Sequence, residues 1–216
     1  MSGAVTSDLA DAIAARYRGP TTRGFVRGKL KRDPVVPALL ALPPFGAVLD
    51  LGCGRGQLWL ALLVAGHATT VTGLDLDARK IERATAAAGD LPARFAIADL
   101  SSAPLPACDT ALVIDVLVQM APAAQNALLA RLVAAAPRRI IIRAFDPDRG
   151  WRSSFGLTVD RLRRRLGGDL GLAGTVAPQP ISVLRAPLDA TGYAVTVTPC
   201  WAGTPLPNVL LVAERP

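Results

Sequence analysis

The chain has 216 residues, of which 51% are hydrophobic and 5% aromatic, and its 24 Lys+Arg against 17 Asp+Glu leave a net charge of +7. That length can bury one sizeable core, and the longest apolar run, Leu58 to Gly66, is less than half of the roughly 20 residues a membrane-spanning helix needs, so a helical span is excluded despite a mean hydropathy of +0.35. The surplus charge admits a nucleic-acid partner, yet the positive residues are nearly all arginine in an alanine-rich, lysine-poor chain, which is equally the mark of compositional bias. Acids interrupt the apolar residues of "MSGAVTSDLADAIAARYRG", which therefore does not read as a signal peptide, and a cytoplasmic location is expected. Cys53, Cys108 and Cys200 are scattered, with no C-x-x-C pair, so neither a disulfide framework nor a metal site is expected.

In chain order, Ser7 is placed to cap a helix whose apolar positions Leu9, Ile13 and Tyr17 recur at helical spacing, ended by Gly19-Pro20. A basic connector, "TTRGFVRGKLKRDP", leads to a short helix from Val35 to Leu42 that stops at Pro43-Pro44. Residues 1–45 are thus expected as a helical cap on a main domain of residues 46–216. From Ala47 short apolar runs alternate with helical segments. Strands are predicted at Ala47–Leu51, Thr70–Asp75, Ala93–Ala98, Thr110–Asp115 and Arg139–Ala144, and helices at Gln57–Ala65, Ala78–Ala88 and Pro122–Ala135. "TALVID" and "RRIIIRAF" are continuously apolar enough to be buried on both faces, and the alternation predicts a parallel sheet with helices on both sides. Farther on, "LTVDRLRRRLGG" reads as a basic helix, "GGDLGLAG" as a joint and "ISVLRAPLDATG" as another helix. "YAVTVTPC" and "NVLLVAERP" read as strands, and the short link between them forces antiparallel pairing. The sheet is therefore expected to have seven strands, the last one reversed.

Ligands of such sheets sit beyond the carboxyl ends of the strands. There "VLDLGCGRG" places Gly52, Gly54 and Gly56, which let a ligand lie against the backbone while the amides opening the helix at Gln57 face it. A dinucleotide loop needs G-x-G-x-x-G, whereas this one is G-x-G-x-G with Asp50 two residues ahead of it. A carboxylate there repels a pyrophosphate and suits a cationic ligand such as S-adenosylmethionine, which carries an ammonium and a sulfonium. Asp75 ends the second strand, at the offset where an acid bonds ribose hydroxyls. Asp99 ends the third, where it can accept from an adenine amine, and Asp115 ends the fourth.

"VLDLGCGRG", "VTGLDLD", "AIADL" and "TALVIDVL" together resemble, over Ala47 to Ala144, the ordered motifs of class I S-adenosylmethionine-dependent methyltransferases. The resemblance implies a Rossmann-like, doubly wound α/β fold with strand order 3-2-1-4-5-7-6, mostly parallel with strand 7 antiparallel. It also implies S-adenosylmethionine as cofactor. Asp50, Gly52 and Gly54, with the backbone of Cys53 and Gly56, would hold its methionine part, Asp75 the ribose, Leu76 one adenine face, and Asp99 with Leu100 the adenine edge. Asp115 would line the methyl-donor end and is the candidate catalytic base. A narrower resemblance, of "RAFDPDRGWR" and "GTPLPNVLLVAERP", is to small bacterial methyltransferases of fatty-acid-like and aryl-polyene biosynthesis. It implies a small-molecule acceptor, with a carrier-bound one as a variant. In those proteins a histidine often follows strand four, where this chain has Val118, so a histidine-assisted mechanism is not expected.

Other polar residues divide between function and framework. Cys53 is expected as loop filler, Asp77 as the N-cap of the following helix and His67 as a surface residue. Arg143 and Trp151, at and after the end of strand five, are the candidate acceptor-lining residues, against a competing account of Trp151 as a helix anchor. Arg161, Arg163, Arg164 and Arg165 read as a solvated basic face, with an RNA acceptor as the alternative; a non-catalytic cofactor-binding partner is the third reading.

Overall fold

The computed structural model describes residues 7–154, 158 and 177–215. The chain divides into two compact units, Met1–Leu112 and Val113–Pro216. In the first, helices α1 (Ser7–Ala15), α2 (Pro20–Arg32) and α3 (Val35–Leu40) precede β1 (Gly46–Leu51), α4 (Gln57–Val64), β2 (Ala68–Asp75), α5 (Ala78–Ala88) and β3 (Ala93–Ile97). Strand β4 (Thr110–Ile114) carries the boundary. The second unit continues with a 3-10 turn (Leu117–Gln119), α6 (Pro122–Ala135), β5 (Arg139–Phe145), α7 (Ile181–Ala190), β6 (Ala194–Pro199) and β7 (Asn208–Glu214).

The seven strands follow the expected order, β3-β2-β1-β4-β5-β7-β6. Strand β1 pairs parallel with β2 and β4, and β2 parallel with β3. Strand β7 runs antiparallel to both β5 and β6. Its reversal follows from the link of residues 200–207, too short for a parallel crossover. The continuous apolar runs are indeed buried: Ala111, Leu112 and Val113 of β4 and Ile140, Ile141 and Ile142 of β5 are all 0% exposed. The edge strands β3 and β6 instead alternate, with Phe95, Val195 and Val197 half-buried between exposed neighbours, as strands covered on one face must.

Three expectations are corrected. The stretch expected as a connector is α2, whose Val26 and Leu30, one turn apart, are buried at 0% and 1%. Pro20 at the helix start supplies a preset φ, and burial of that apolar pair outweighs the weak propensity of Gly24 and Gly28. The Ser7 hydroxyl does not cap backbone; it accepts from Lys31 Nζ at 3.0 Å and lies 3.5 Å from Asp11 Oδ2. His67, expected at the surface, is half-buried against Phe45 with ring centroids 6.1 Å apart. Apart from Thr158, the expected basic helix and joint lie outside the described residues.

Candidate functional site

The turn after β1 is built by three left-handed glycines, Gly52, Gly54 and Gly56, with φ of 80°, 56° and 76°. The Gly52 and Cys53 N–H groups both donate to Leu74 O, at 2.7 and 3.0 Å, which ties the turn to the end of β2. A Cβ on Gly54 would meet nothing within 4 Å, whereas one on Gly56 would press on Ala84 and Phe95 at 3.0 Å. The loop is therefore packed against the protein at Gly56 and open at Gly54. From Gly56 the chain enters α4, whose first turn has no side-chain cap, so its N-terminal amides carry their partial positive charge uncompensated by a cap.

Acidic groups underlie this loop. Asp75 Oδ2 accepts from Gly54 N at 2.8 Å and Oδ1 from Asp77 N at 2.9 Å, so one carboxylate fixes both the glycine turn and the start of the next loop. Asp50 is 1% exposed, and its buried Oδ2 has no hydrogen-bond partner among the described residues. Burial, with the Asp75 charge adding to it, pushes the Asp50 carboxyl well above the usual carboxylate range, against a weaker opposing pull from Lys29. A buried polar atom without a partner costs about 1–3 kcal/mol, and a cation brought to this carboxylate would relieve it. Burial also pushes the Cys53 thiol far up, with Asp50 and Asp75 reinforcing it, so Cys53 is no nucleophile.

The remaining predicted residues of the first unit stand at neighbouring strand ends. Leu76, beyond Asp75, is 45% exposed. Asp99 is exposed beyond β3; the Ser101 N–H it accepts at 2.9 Å holds its carboxyl below the usual range, and Leu100 beside it is half-buried. Asp77 is the N-cap of α5, accepting from Arg79 N and Lys80 N.

Three features were missed in the sequence. Tyr17, just beyond α1, donates its hydroxyl to Arg55 O at 2.7 Å, and the Arg55 guanidinium lies 4.7 Å from the Phe25 ring centroid on α2. The N-terminal helices thus grip the glycine loop by its backbone and its one long side chain. Gly73 of β2 leaves room for the loop, since a Cβ there would stand 2.5 Å from the Phe95 ring and 2.9 Å from the Cys53 Cβ. A lone glycine inside a strand was its only signal.

In the second unit, Asp115 follows β4 with a φ of 63°, uncommon for a residue with a side chain. Its carboxylate is held in a fork by Arg143, Nε to Oδ1 at 2.7 Å and Nη2 to Oδ2 at 2.8 Å, and its carbonyl accepts from Gln119 Nε2 at 2.8 Å. Arg143 is buried on β5. Trp151 joins neither; it is 67% exposed and stacks with Arg152. Within each unit, then, the structure joins Asp50, the glycine loop and Asp75, and separately Asp115 and Arg143.

Residues 48–136 match the family model described as a methyltransferase domain. No curated protein matches the chain. Among solved structures, magnesium protoporphyrin IX methyltransferase from Synechocystis PCC 6803 with bound S-adenosylhomocysteine is 23% identical, with a TM-score of 0.64 over 97% of this chain and 94% of that one. A putative methyltransferase solved with the Haloferax volcanii Trm112 activator is 16% identical, with a TM-score of 0.68 over 95% and 97%. Mitomycin 7-O-methyltransferase is 21% identical, with a TM-score of 0.66 over 89% of this chain and 56% of that one. At these identities the likeness is one of fold.

Proposed function

We propose that this chain, which carries the methyltransferase domain over residues 48–136, transfers the methyl group of S-adenosylmethionine to a small-molecule acceptor. The observation that carries the reading is the buried Asp50 carboxylate, with Oδ2 unpartnered, beneath a glycine turn open at Gly54. Such a cradle fits a ligand with a cationic amino-acid end and is hostile to a pyrophosphate. S-adenosylmethionine supplies a methyl group already activated by its positive sulfur.

In this reading Asp50, Gly52, Gly54 and the Cys53 and Gly56 backbone hold the methionine part, Asp75 takes the ribose hydroxyls, and Leu76, Asp99 and Leu100 receive the adenine. Residues 1–45 act as a cap on the domain of residues 46–216, through the Tyr17 and Phe25 contacts to Arg55. Orientation is the protein's main contribution, worth up to about 7–11 kcal/mol in well-aligned displacements. Asp115 contributes to it on the acceptor side as a positioned group, its carboxylate held by the Arg143 fork. Small-molecule chemistry is also what the names of two structural relatives state, magnesium protoporphyrin and mitomycin. Among the described residues no helix is long and apolar enough to cross a membrane, and a cytoplasmic setting belongs to the same proposal.

The test begins at Asp75. Asp75→Ala removes the ribose contact and the Gly54 tether from a half-exposed strand end, so the fold is kept while S-adenosylhomocysteine affinity falls by at least tenfold, the loss expected of a hydrogen bond to a charged group, about 1.5–3 kcal/mol. Calorimetry on a folded variant that binds like the parent overturns the assignment. Incubating the protein with methyl-labelled cofactor and a metabolite extract then identifies the acceptor by mass.

A further inference from the structure

Beyond the two groups already described, the second unit holds a third constellation that no cofactor contact uses. Its side chains come from two loops, residues 146–154 after β5 and 200–207 between β6 and β7. The Arg152 guanidinium lies 5.1 Å from the Trp151 ring centroid and 5.7 Å from that of Trp201, and Arg149 lies 5.2 Å from Trp201. Indole and guanidinium thus alternate, in the order Trp151, Arg152, Trp201, Arg149.

The ladder is preorganised from below. Asp146 is 6% exposed, and its Oδ2 accepts from Arg149 Nε at 2.6 Å while its backbone N–H donates to Pro207 O at 3.0 Å, joining the two loops. Buried Ser153 donates to Asp146 O at 2.8 Å and accepts from Arg149 N at 3.0 Å. Trp201 sits at the start of a tight turn closed by Thr204 N to Trp201 O at 2.9 Å, and Arg152 Nη1 donates to Thr204 O at 3.1 Å.

Two properties remain unspent by these contacts. Trp151, with 67% of its surface exposed, is the most exposed large hydrophobic residue among those described. Arg152 has no carboxylate partner among the described residues, and neither its Nε nor its Nη2 has one there, whereas Arg149 is neutralised by Asp146. One indole face and one planar, singly charged fork are therefore presented side by side. An indole face selects a flat ring. A guanidinium fork selects a carboxylate by bidentate pairing, and a single uncompensated charge matches a carboxylate better than a phosphate monoester of about −1.5 to −2.

We infer that Trp151, Arg152 and Trp201 form the acceptor subsite, and that it takes a planar aromatic ring bearing a carboxylate. Calling the ligand the acceptor rests on the methyl-transfer reading; the binding itself does not. The probe is 2-naphthoate, compared with the neutral 2-naphthamide and the non-planar cyclohexanecarboxylate, titrated calorimetrically into the full chain with and without S-adenosylhomocysteine. Naphthoate is expected to bind roughly tenfold tighter than either control, the scale of one stacked pair or one charge-assisted bond.

Arg152→Gln should erase the preference over the amide, and Trp151→Leu the preference over the non-planar acid. Both variants should keep the parent's circular dichroism and S-adenosylhomocysteine affinity. No naphthoate binding, equal binding of all three probes, or variants with the parent's preferences overturn the subsite. Failure of the parent to bind S-adenosylhomocysteine overturns the methyl-transfer reading instead, and leaves the naphthoate result standing by itself.

Discussion

Asp50 is the residue at which folding and binding make opposite demands. Its folded-state carboxyl titrates above the usual range, chiefly through burial. A carboxyl raised on folding stabilises the protein fully below its unfolded value, near 3.8, and that contribution is lost as the pH rises from there through the raised value. At neutral pH the unliganded protein therefore carries a cost at this position. Asp50→Asn keeps the shape without the charge. It should flatten the fall in melting temperature with rising pH and stabilise the unliganded protein by about 1–2 kcal/mol. The same change removes the anion from the cradle, so S-adenosylhomocysteine affinity should drop by about 1.5–3 kcal/mol. Thermal melts across pH together with calorimetry check both halves; a variant that loses stability and keeps affinity would make Asp50 a framework residue. The acid was visible in the sequence because its position relative to the glycines is local. Its unpartnered oxygen was not, since burial and the lack of a hydrogen-bond partner among the described residues are properties of the tertiary packing and not of the local sequence.

Among the elements, α2 shows where local reading stops. Its thirteen residues include Gly24, Gly28 and five basic side chains, a poor helix by propensity. The apolar pair Val26 and Leu30 was too sparse a signal to set against them, and the helix persists because those two side chains are buried. By contrast α4, β4 and β5 carry long apolar runs whose burial is nearly indifferent to context, and their limits were legible to within a residue or two. Both glycines of α2 have open space where a Cβ would stand and no left-handed φ. Gly24→Ala and Gly28→Ala should each therefore stabilise by about 0.5–1 kcal/mol, through a less flexible unfolded chain. Denaturant titration should show the midpoint rising with the slope unchanged. A fall would mean that the helix needs the glycines for a close contact this geometry does not contain.

At the scale of the whole molecule, the parallel sheet and the antiparallel pairing of β6 with β7 were readable because they follow from alternating periodicities and a short connection, both properties of the chain alone, whereas the strand order was implied by the family resemblance of the motifs. The pairing of Asp115 with Arg143, twenty-eight residues apart, was not readable, because both had been read as ligand-facing and only the register of β5 brings the guanidinium to the acid. A global measurement separates the two ligands between which the glycine loop first had to be judged. Anything that binds only the native state stabilises it by about 2.7 kcal/mol at a hundred times its dissociation constant. For a chain of this size each kcal/mol moves the melting temperature by about 2–4 °C. Saturating S-adenosylhomocysteine should accordingly raise it by about 5–10 °C, and NAD at equal concentration should leave it unmoved, because the Asp50 and Asp75 carboxylates repel the pyrophosphate. The shift should shrink in Asp75→Ala and in Asp50→Asn, whose effects on unliganded stability are measured in the same melts and subtracted. A shift from NAD that equals or exceeds the one from S-adenosylhomocysteine would show that the acids do not decide the guest, and would return the loop to the dinucleotide binders its glycines alone permit.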